Sequence, residues 1–308
     1  MTRQVTICIV GLGLMGGSLA LALRQARPAL SDAHDAGAAA GAHGAEPEHQ
    51  TMFHRIIGVS RSAATLEAAL AAGAIDEGTP RLADAVAGAD IVVLAMPVRT
   101  ILRMLPEVGA CARPGTVVLD LGSSKTEICA AMAELPAGIH PVGGHPMCGK
   151  ETSGFGAAEA SLYRGRLFVL CPLPRTPASA LRDATALAGA IGATPVVLDP
   201  ATHDDAVAAI SHLPYALAVA LVNTVMASHN GVARSLASSG FRDTSRLASG
   251  DVEMMLDILM TNRTAILAWI DAFSGSLGDL RAALARGSEA EIRATLAAAK
   301  QRRDALRL

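Results

Sequence analysis

Short apolar runs separated by glycine-rich turns alternate with segments of helical period through residues 1–199. Val5–Val10, Ile56–Val59, Asp90–Ala95, Thr116–Asp120 and Gly138–Val142 are apolar with no polar alternation. Such runs read as strands of a parallel sheet covered on both faces, the last parallel one being Gly138–Val142. Leu167–Cys171 and Pro195–Asp199 read as two further strands, joined by a helix from about Thr176 to Ile191. No strand pattern recurs after Pro200. His203–Met226 is apolar around nearly its whole circumference, the pattern of a helix buried on all sides. Pro214 has no N–H to give the carbonyl of Ile210, so a kink is expected there. From Asn262 the pattern is amphipathic helix to Leu308. The expectation is a Rossmann-like, doubly wound α/β domain over residues 1–199, then an all-helical domain over 200–308.

Hydrophobic residues make up 51% of the 308 and charged ones 18%, a balance that calls for a buried subunit interface as well as two cores. The long apolar helices of the second domain are its natural site, and a homodimer is expected. A formal charge of −2 leaves nucleic-acid binding without an electrostatic basis. Cys8, Cys111, Cys129, Cys148 and Cys171 show neither CxxC spacing nor a metal-ligand cluster, which reads as free thiols in a cytoplasmic protein. Arg3 and the apolar run Val5–Leu23 imitate a secretion signal, but four glycines interrupt it at nucleotide-loop spacing. No other stretch is expected to reach the ~20 apolar residues of a membrane span.

Three of those glycines form Gly11-Leu12-Gly13-Leu14-Met15-Gly16, a GxGxxG between strand and helix. Gly11 permits the tight turn, Gly13 lets backbone approach a pyrophosphate, and Gly16 lets the helix pack on the strand. Amides at the helix start, at Leu14 and Met15, then receive the anion. Residues 28–54 break the expected short connection. Starting at Pro28 they lack an apolar period, and His34, His43, His49 and His54 fit no ligand spacing, so the stretch reads as a mobile insertion and no metal is expected. At the end of the second strand stand Ser60, Arg61 and Ser62. An NAD enzyme usually has Asp or Glu there for the ribose hydroxyls, whereas a hydroxyl and a guanidinium suit the 2′-phosphate of NADP. Ser62 is placed to cap the next helix. Met96-Pro97 turns over the cofactor after the strand Asp90–Ala95.

The densest chemistry lies in Gly143-Gly144-His145-Pro146-Met147-Cys148-Gly149-Lys150-Glu151-Thr152-Ser153-Gly154. Its glycines and prolines forbid a helix and predict a tight loop at the sheet's carboxyl edge, where ligands bind. From His145 onward it resembles the HPMxGxExSG loop of prephenate and arogenate dehydrogenases. Three more segments carry the resemblance: Asp120-Leu121-Gly122-Ser123-Ser124-Lys125 is similar to that family's DxGSxK turn, Ser211-His212-Leu213-Pro214 to its SHLP, and Gly240–Asp251 to its GFRDxTRxAxxD. The chain departs from the family at Tyr215, where several bacterial members have a second histidine. It departs again at Val252-Glu253-Met254-Met255, where a Pro-x-x-Trp is common.

The resemblance implies oxidative decarboxylation of a cyclohexadiene, with hydride passing to NAD or NADP. His145 would be the proton acceptor, Ser123 the partner of the same substrate oxygen, and Arg246 the carboxylate ligand. His212 and Tyr215 would line the substrate pocket, and Glu151 would be a gate or ion-pair residue. Lys150, at the loop's variable position, would repel an ammonium and so favour prephenate over arogenate; a 4-amino analogue is the third candidate. Two rival classes are a β-hydroxyacid dehydrogenase, which typically uses a lysine on the helical domain, and a non-catalytic nucleotide sensor.

Overall fold

The computed structural model describes residues 3–36, 51–227 and 231–306. In chain order the first part runs β1 Arg3–Val10, α1 Leu14–Ala36, β2 Thr51–Val59, α2 Ala63–Ala71, β3 Glu77–Thr79, α3 Leu82–Ala87 and β4 Ile91–Leu94. It continues with α4 Val98–Cys111, β5 Val117–Asp120, α5 Thr126–Ala133, β6 His140–Pro146, β7 Leu167–Pro172, α6 Ala178–Ala190 and β8 Thr194–Val197. The eight strands form one sheet in the order β3-β2-β1-β4-β5-β6-β7-β8. The first six are parallel, in the Rossmann order; β7 runs antiparallel to β6, and β8 parallel to β7. Two apolar clusters cover the two faces. One, under α1 and α6, includes Ile7, Ile9, Leu19, Phe53 and Phe168; the other, under α3, α4 and α5, includes Cys8, Val92, Ile101, Ile128 and Met132.

The second part is helical throughout its described residues: α7 Pro200–Val207, α8 Leu213–Ala227, α9 Gly231–Ser235, α10 Ser239–Ser245, α11 Val252–Thr261, α12 Arg263–Arg286 and α13 Glu289–Ala305. Between α7 and α8 lies a π-helical turn, Ala208–His212, in which the Leu213 N–H reaches back five residues to Ala208 O. The wide turn falls immediately before Pro214. It satisfies the backbone where proline withholds a donor, as π-turns commonly do at functional sites. Gly287, at φ 65°, divides α12 from α13, so the expected continuous helix to Leu308 is two helices.

Several expectations need correction. α1 continues through Pro28 to Ala36, because alanine and leucine around the proline are strong helix formers and a single lost hydrogen bond does not stop them. β2 begins at Thr51, so the expected insertion over 28–54 is helix at one end and strand at the other. Its centre, residues 37–50, lies outside the described residues. Gly143, Gly144, His145 and Pro146 belong to β6 rather than to a loop. They pair with β7, and a Cβ at Gly143 or Gly144 would lie 2.6 Å from Cys129 Sγ or 2.4 Å from Asp120 O. The glycines therefore serve close packing across the sheet and make no turn.

The helix Pro200–Ala227 is not buried on all sides; only 22% of its apolar window is covered within the chain. By length and composition it is also apolar enough to cross a membrane, contrary to expectation. Its first half, however, carries His203, Asp204 and His212, each at most 3% exposed, against the sheet's carboxyl edge.

Candidate active site

At the end of β1 the chain turns through Gly11, at φ 93°, where a Cβ would lie 2.5 Å from Ala95 O and 2.8 Å from Met96 Cγ. A Cβ on Gly16 would lie 1.9 Å from Gly11 O, so α1 approaches the turn only because both residues are glycine. Gly13 is different: nothing stands within 4 Å of where its Cβ would be. That open backbone, with the Leu14 and Met15 amides beginning α1, is a cradle that fits a pyrophosphate. Met96 packs beside Gly11, and Pro97 starts α4. At the tip of β2, Ser62 Oγ caps α2 through Thr65 N at 3.2 Å, and Ser60 Oγ accepts from Ser62 N at 3.2 Å. Arg61 is exposed beside them.

The next strand crossing is held by a buried ion pair. Lys125 and Asp120 are both fully buried and bonded to each other. Asp120 also accepts from Gly122 N at 2.7 Å and Gly144 N at 2.9 Å, while Lys125 Nζ donates to Gly144 O at 2.7 Å. Gly144 is thus gripped by both its backbone groups, which fixes the position of the next residue, His145. Ser123, in the same turn, is half-buried, whereas Ser124 is buried and bonded to Thr261 Oγ1 at 2.8 Å across the two domains.

Behind His145 stands a second histidine. His145 Nδ1 lies 2.8 Å from His203 Nε2, and His203 Nδ1 lies 2.8 Å from Asp204 Oδ1. The rings meet edge to face, centroids 5.1 Å apart. Asp204 accepts as well from the amides of Lys125 at 2.6 Å and Thr126 at 2.8 Å, so a helical-domain carboxylate caps the N-terminus of α5. Burial alone would raise its pKa; hydrogen bonds from His203, Thr126 and Lys125 outweigh it and hold the group below the usual carboxylate range. His145 keeps a partly exposed edge but is closely surrounded by protein. Its pKa falls well below 6.5, first through lost hydration and then through His203, Lys125 and His212. That direction leaves the ring neutral at physiological pH, with a lone pair able to accept a proton.

His212 is 2% exposed, with Nδ1 at 3.2 Å from Asn262 Nδ2, and that amide also donates to Asp204 O at 2.7 Å. Burial drives its pKa down to about 4, Asp204 opposing. Tyr215 is half-buried next to Gly250, whose added Cβ would come within 3.5 Å of the ring. At the mouth, Arg246 forms an exposed ion pair with Glu151. Lys150, expected to repel a substrate ammonium, has a carboxylate partner of its own. It pairs with Glu159 at 2.7 Å, and the Glu159 amide donates to Ser18 Oγ on α1, which ties the lysine to the dinucleotide side. Asp120 and Lys125, the ends of the DxGSxK-like turn, were given no role from sequence, nor were His203, Asp204 and Asn262. A histidine and an aspartate at the start of an otherwise apolar helix were the available signal.

A glycine cradle on a Rossmann sheet, a neutral histidine at the sheet's carboxyl edge and a helical domain closing over it define a dinucleotide-dependent oxidoreductase. Two family models match, "Prephenate dehydrogenase, nucleotide-binding domain" over residues 47–197 and "Prephenate dehydrogenase, dimerization domain" over 199–298. The prephenate dehydrogenase of Bacillus subtilis (strain 168) is 31% identical over 98% of this chain and 76% of its own length. Synechocystis arogenate dehydrogenase superimposes with a TM-score of 0.79 at 31% identity, covering 97% of this chain and 99% of that one. Aquifex aeolicus prephenate dehydrogenase, solved with hydroxyphenyl propionate and NAD+, gives 0.82 at 28% identity over 98% of each. The chain belongs to the prephenate/arogenate dehydrogenase family.

Proposed function

We propose that the chain oxidatively decarboxylates prephenate to 4-hydroxyphenylpyruvate, with NADP as the preferred acceptor, in a cytoplasmic homodimer. The cradle at Gly11, Gly13 and Gly16 would hold a dinucleotide, which would supply the hydride acceptor for the carbinol carbon of the ring. The protein's own part is positional and acid–base. His145, neutral and held by its neighbours, accepts the proton of the substrate hydroxyl as charge develops there. Ser123 fixes the same oxygen. Arg246 exchanges Glu151 for a substrate carboxylate, and His212 and Tyr215 shape the pocket wall. Loss of carbon dioxide follows from aromatisation and calls for no dedicated acid.

The choice of prephenate rests on one observation. Arogenate carries an ammonium that a selective pocket would meet with a free carboxylate, yet Asp204, the carboxylate behind His145, is already committed to His203 and to the amides of Lys125 and Thr126. A buried ammonium left unpaired would cost ~1–3 kcal/mol or more. The arogenate reading is supported by the Synechocystis relative, which matches as well as the prephenate enzymes do. The test is the ratio of kcat/KM for the two substrates at neutral pH, with carbon dioxide and reduced cofactor both measured. At least tenfold in favour of prephenate is expected; tenfold the other way rejects prephenate as the substrate.

A further inference from the structure

Behind the proposed base lies a chain of buried groups. Asp204, His203 and His145 are joined end to end by contacts of 2.8 Å and 2.8 Å, although 58 residues separate the two histidines. The directions of these bonds can be worked out from the deep end. An ionised carboxylate only accepts, so His203 carries its proton on Nδ1 and donates it to Asp204. The other nitrogen of a neutral His203, Nε2, then has a lone pair and accepts. Its neighbour, His145 Nδ1, must be the donor. What remains is the Nε2 lone pair of His145, the form that can take a proton.

We propose that Asp204 and His203 are positioning residues that act through His145, fixing it in the Nδ1–H tautomer so that Nε2 is the proton acceptor. This rests on the reading of His145 as the base. When that base acts, the substrate's O–H bond breaks and an N–H bond forms at His145 Nε2. The Nδ1 proton stays in its bond to His203, and Asp204 remains ionised throughout.

The surroundings hold the chain in this sense. Asp204 accepts from the amides of Lys125 and Thr126, which favours its ionised form. The charged group nearest the far side is Lys125, whose ammonium is committed to Asp120 and Gly144 O, so it does not donate to either ring. The third histidine, His212, bonds Asn262 instead. The contacts also cross the domain boundary: His145 stands on β6, and the dyad behind it on α7. Docking of the helical domain therefore sets the protonation pattern of a side chain on the sheet.

The test is the ¹⁵N spectrum of histidine-labelled full-length protein without cofactor, combined with steady-state kinetics of Asp204→Asn, His203→Gln and His145→Asn. Wild type is expected to show His145 protonated on Nδ1 and bare on Nε2. In Asp204→Asn the carboxamide has a single acceptor oxygen for the donors that both oxygens of Asp204 now take, and the charge that orders the chain is gone, so His145 Nε2 is protonated in part of the molecules. Turnover should fall by at least about tenfold with KM changed less than about threefold, in the direction a wrong tautomer takes in a serine protease triad. His203→Gln keeps an acceptor opposite His145 Nδ1, so it should retain the tautomer and lose less activity than Asp204→Asn. A wild-type His145 protonated on Nε2 overturns the proposal, and this result stands even if no variant folds. So does an Asp204→Asn enzyme with unchanged turnover while His145→Asn is inactive. An active His145→Asn enzyme instead defeats the base assignment, and the spectrum still decides the tautomer.

Discussion

If His145 is the base, His145→Asn should lower turnover by ~10²–10⁴ and leave KM nearly unchanged, because the carboxylate contact is elsewhere. The pH profile follows from the direction of its pKa. A depressed value keeps the ring neutral as pH falls through 6.5, so kcat/KM should stay level there and drop only further into acid. An acid limb centred at or above 6.5 would contradict the burial seen here. At the other end of the site, Ser60 and Arg61 offer a 2′-phosphate one hydroxyl and one guanidinium. Replacing them as Ser60→Asp with Arg61→Ala should reverse the NADP preference, since a charge-assisted bond of ~1.5–3 kcal/mol is lost and a repulsive charge gained. Better efficiency with NAD in the unaltered enzyme would reject it. The glycine cradle and the Ser62 cap were legible from sequence because both act within a few residues. The His145–His203–Asp204 chain was not, since nothing local couples β6 to a helix 58 residues away.

At the scale of elements, the sheet was readable from apolar runs, and the errors fall where packing overrides local preference. Gly143 and Gly144 look like turn residues, yet they lie in a strand because neighbouring atoms leave no room for a Cβ. The segment from Thr51 to His54 looks like part of an insertion, yet it extends β2 alongside β1, with Arg3 opposite Thr51 and Val5 opposite Phe53. Phe53 is 1% exposed in the cluster under α1. Phe53→Ala should therefore cost ~3–5 kcal/mol in urea unfolding, the range for an emptied aromatic core site. A loss under 1 kcal/mol would mean that β2 does not depend on its first half. By the same reasoning, joining Ala26 directly to Arg55 should destroy the fold, because it removes the end of α1 and the strand residues that pair with β1.

For the whole molecule, the question is what covers the helical domain. Ile210 is 68% exposed, Val252 71% and Leu267 52%, all in the helical domain. Apolar faces of this extent are uncommon on monomers and typical of obligate interfaces. A membrane is the other apolar environment by composition, but Pro200–Ala227 cannot enter one lengthwise while its His203 and Asp204 are bonded to His145, Lys125 and Thr126 of the first domain. The matched "dimerization domain" agrees with the remaining possibility, a second copy of the chain joined through a two-fold axis. Sedimentation equilibrium at micromolar concentration should give about twice the 31.4 kDa of one chain, without added detergent. Because α7 and α8 are continuous through the π-turn, a second copy seated on α8 would press on the helix that carries the His203–Asp204 dyad. Dilution to monomer should therefore reduce turnover as well as mass. A monomer of full activity would show that the helix holds its position unaided.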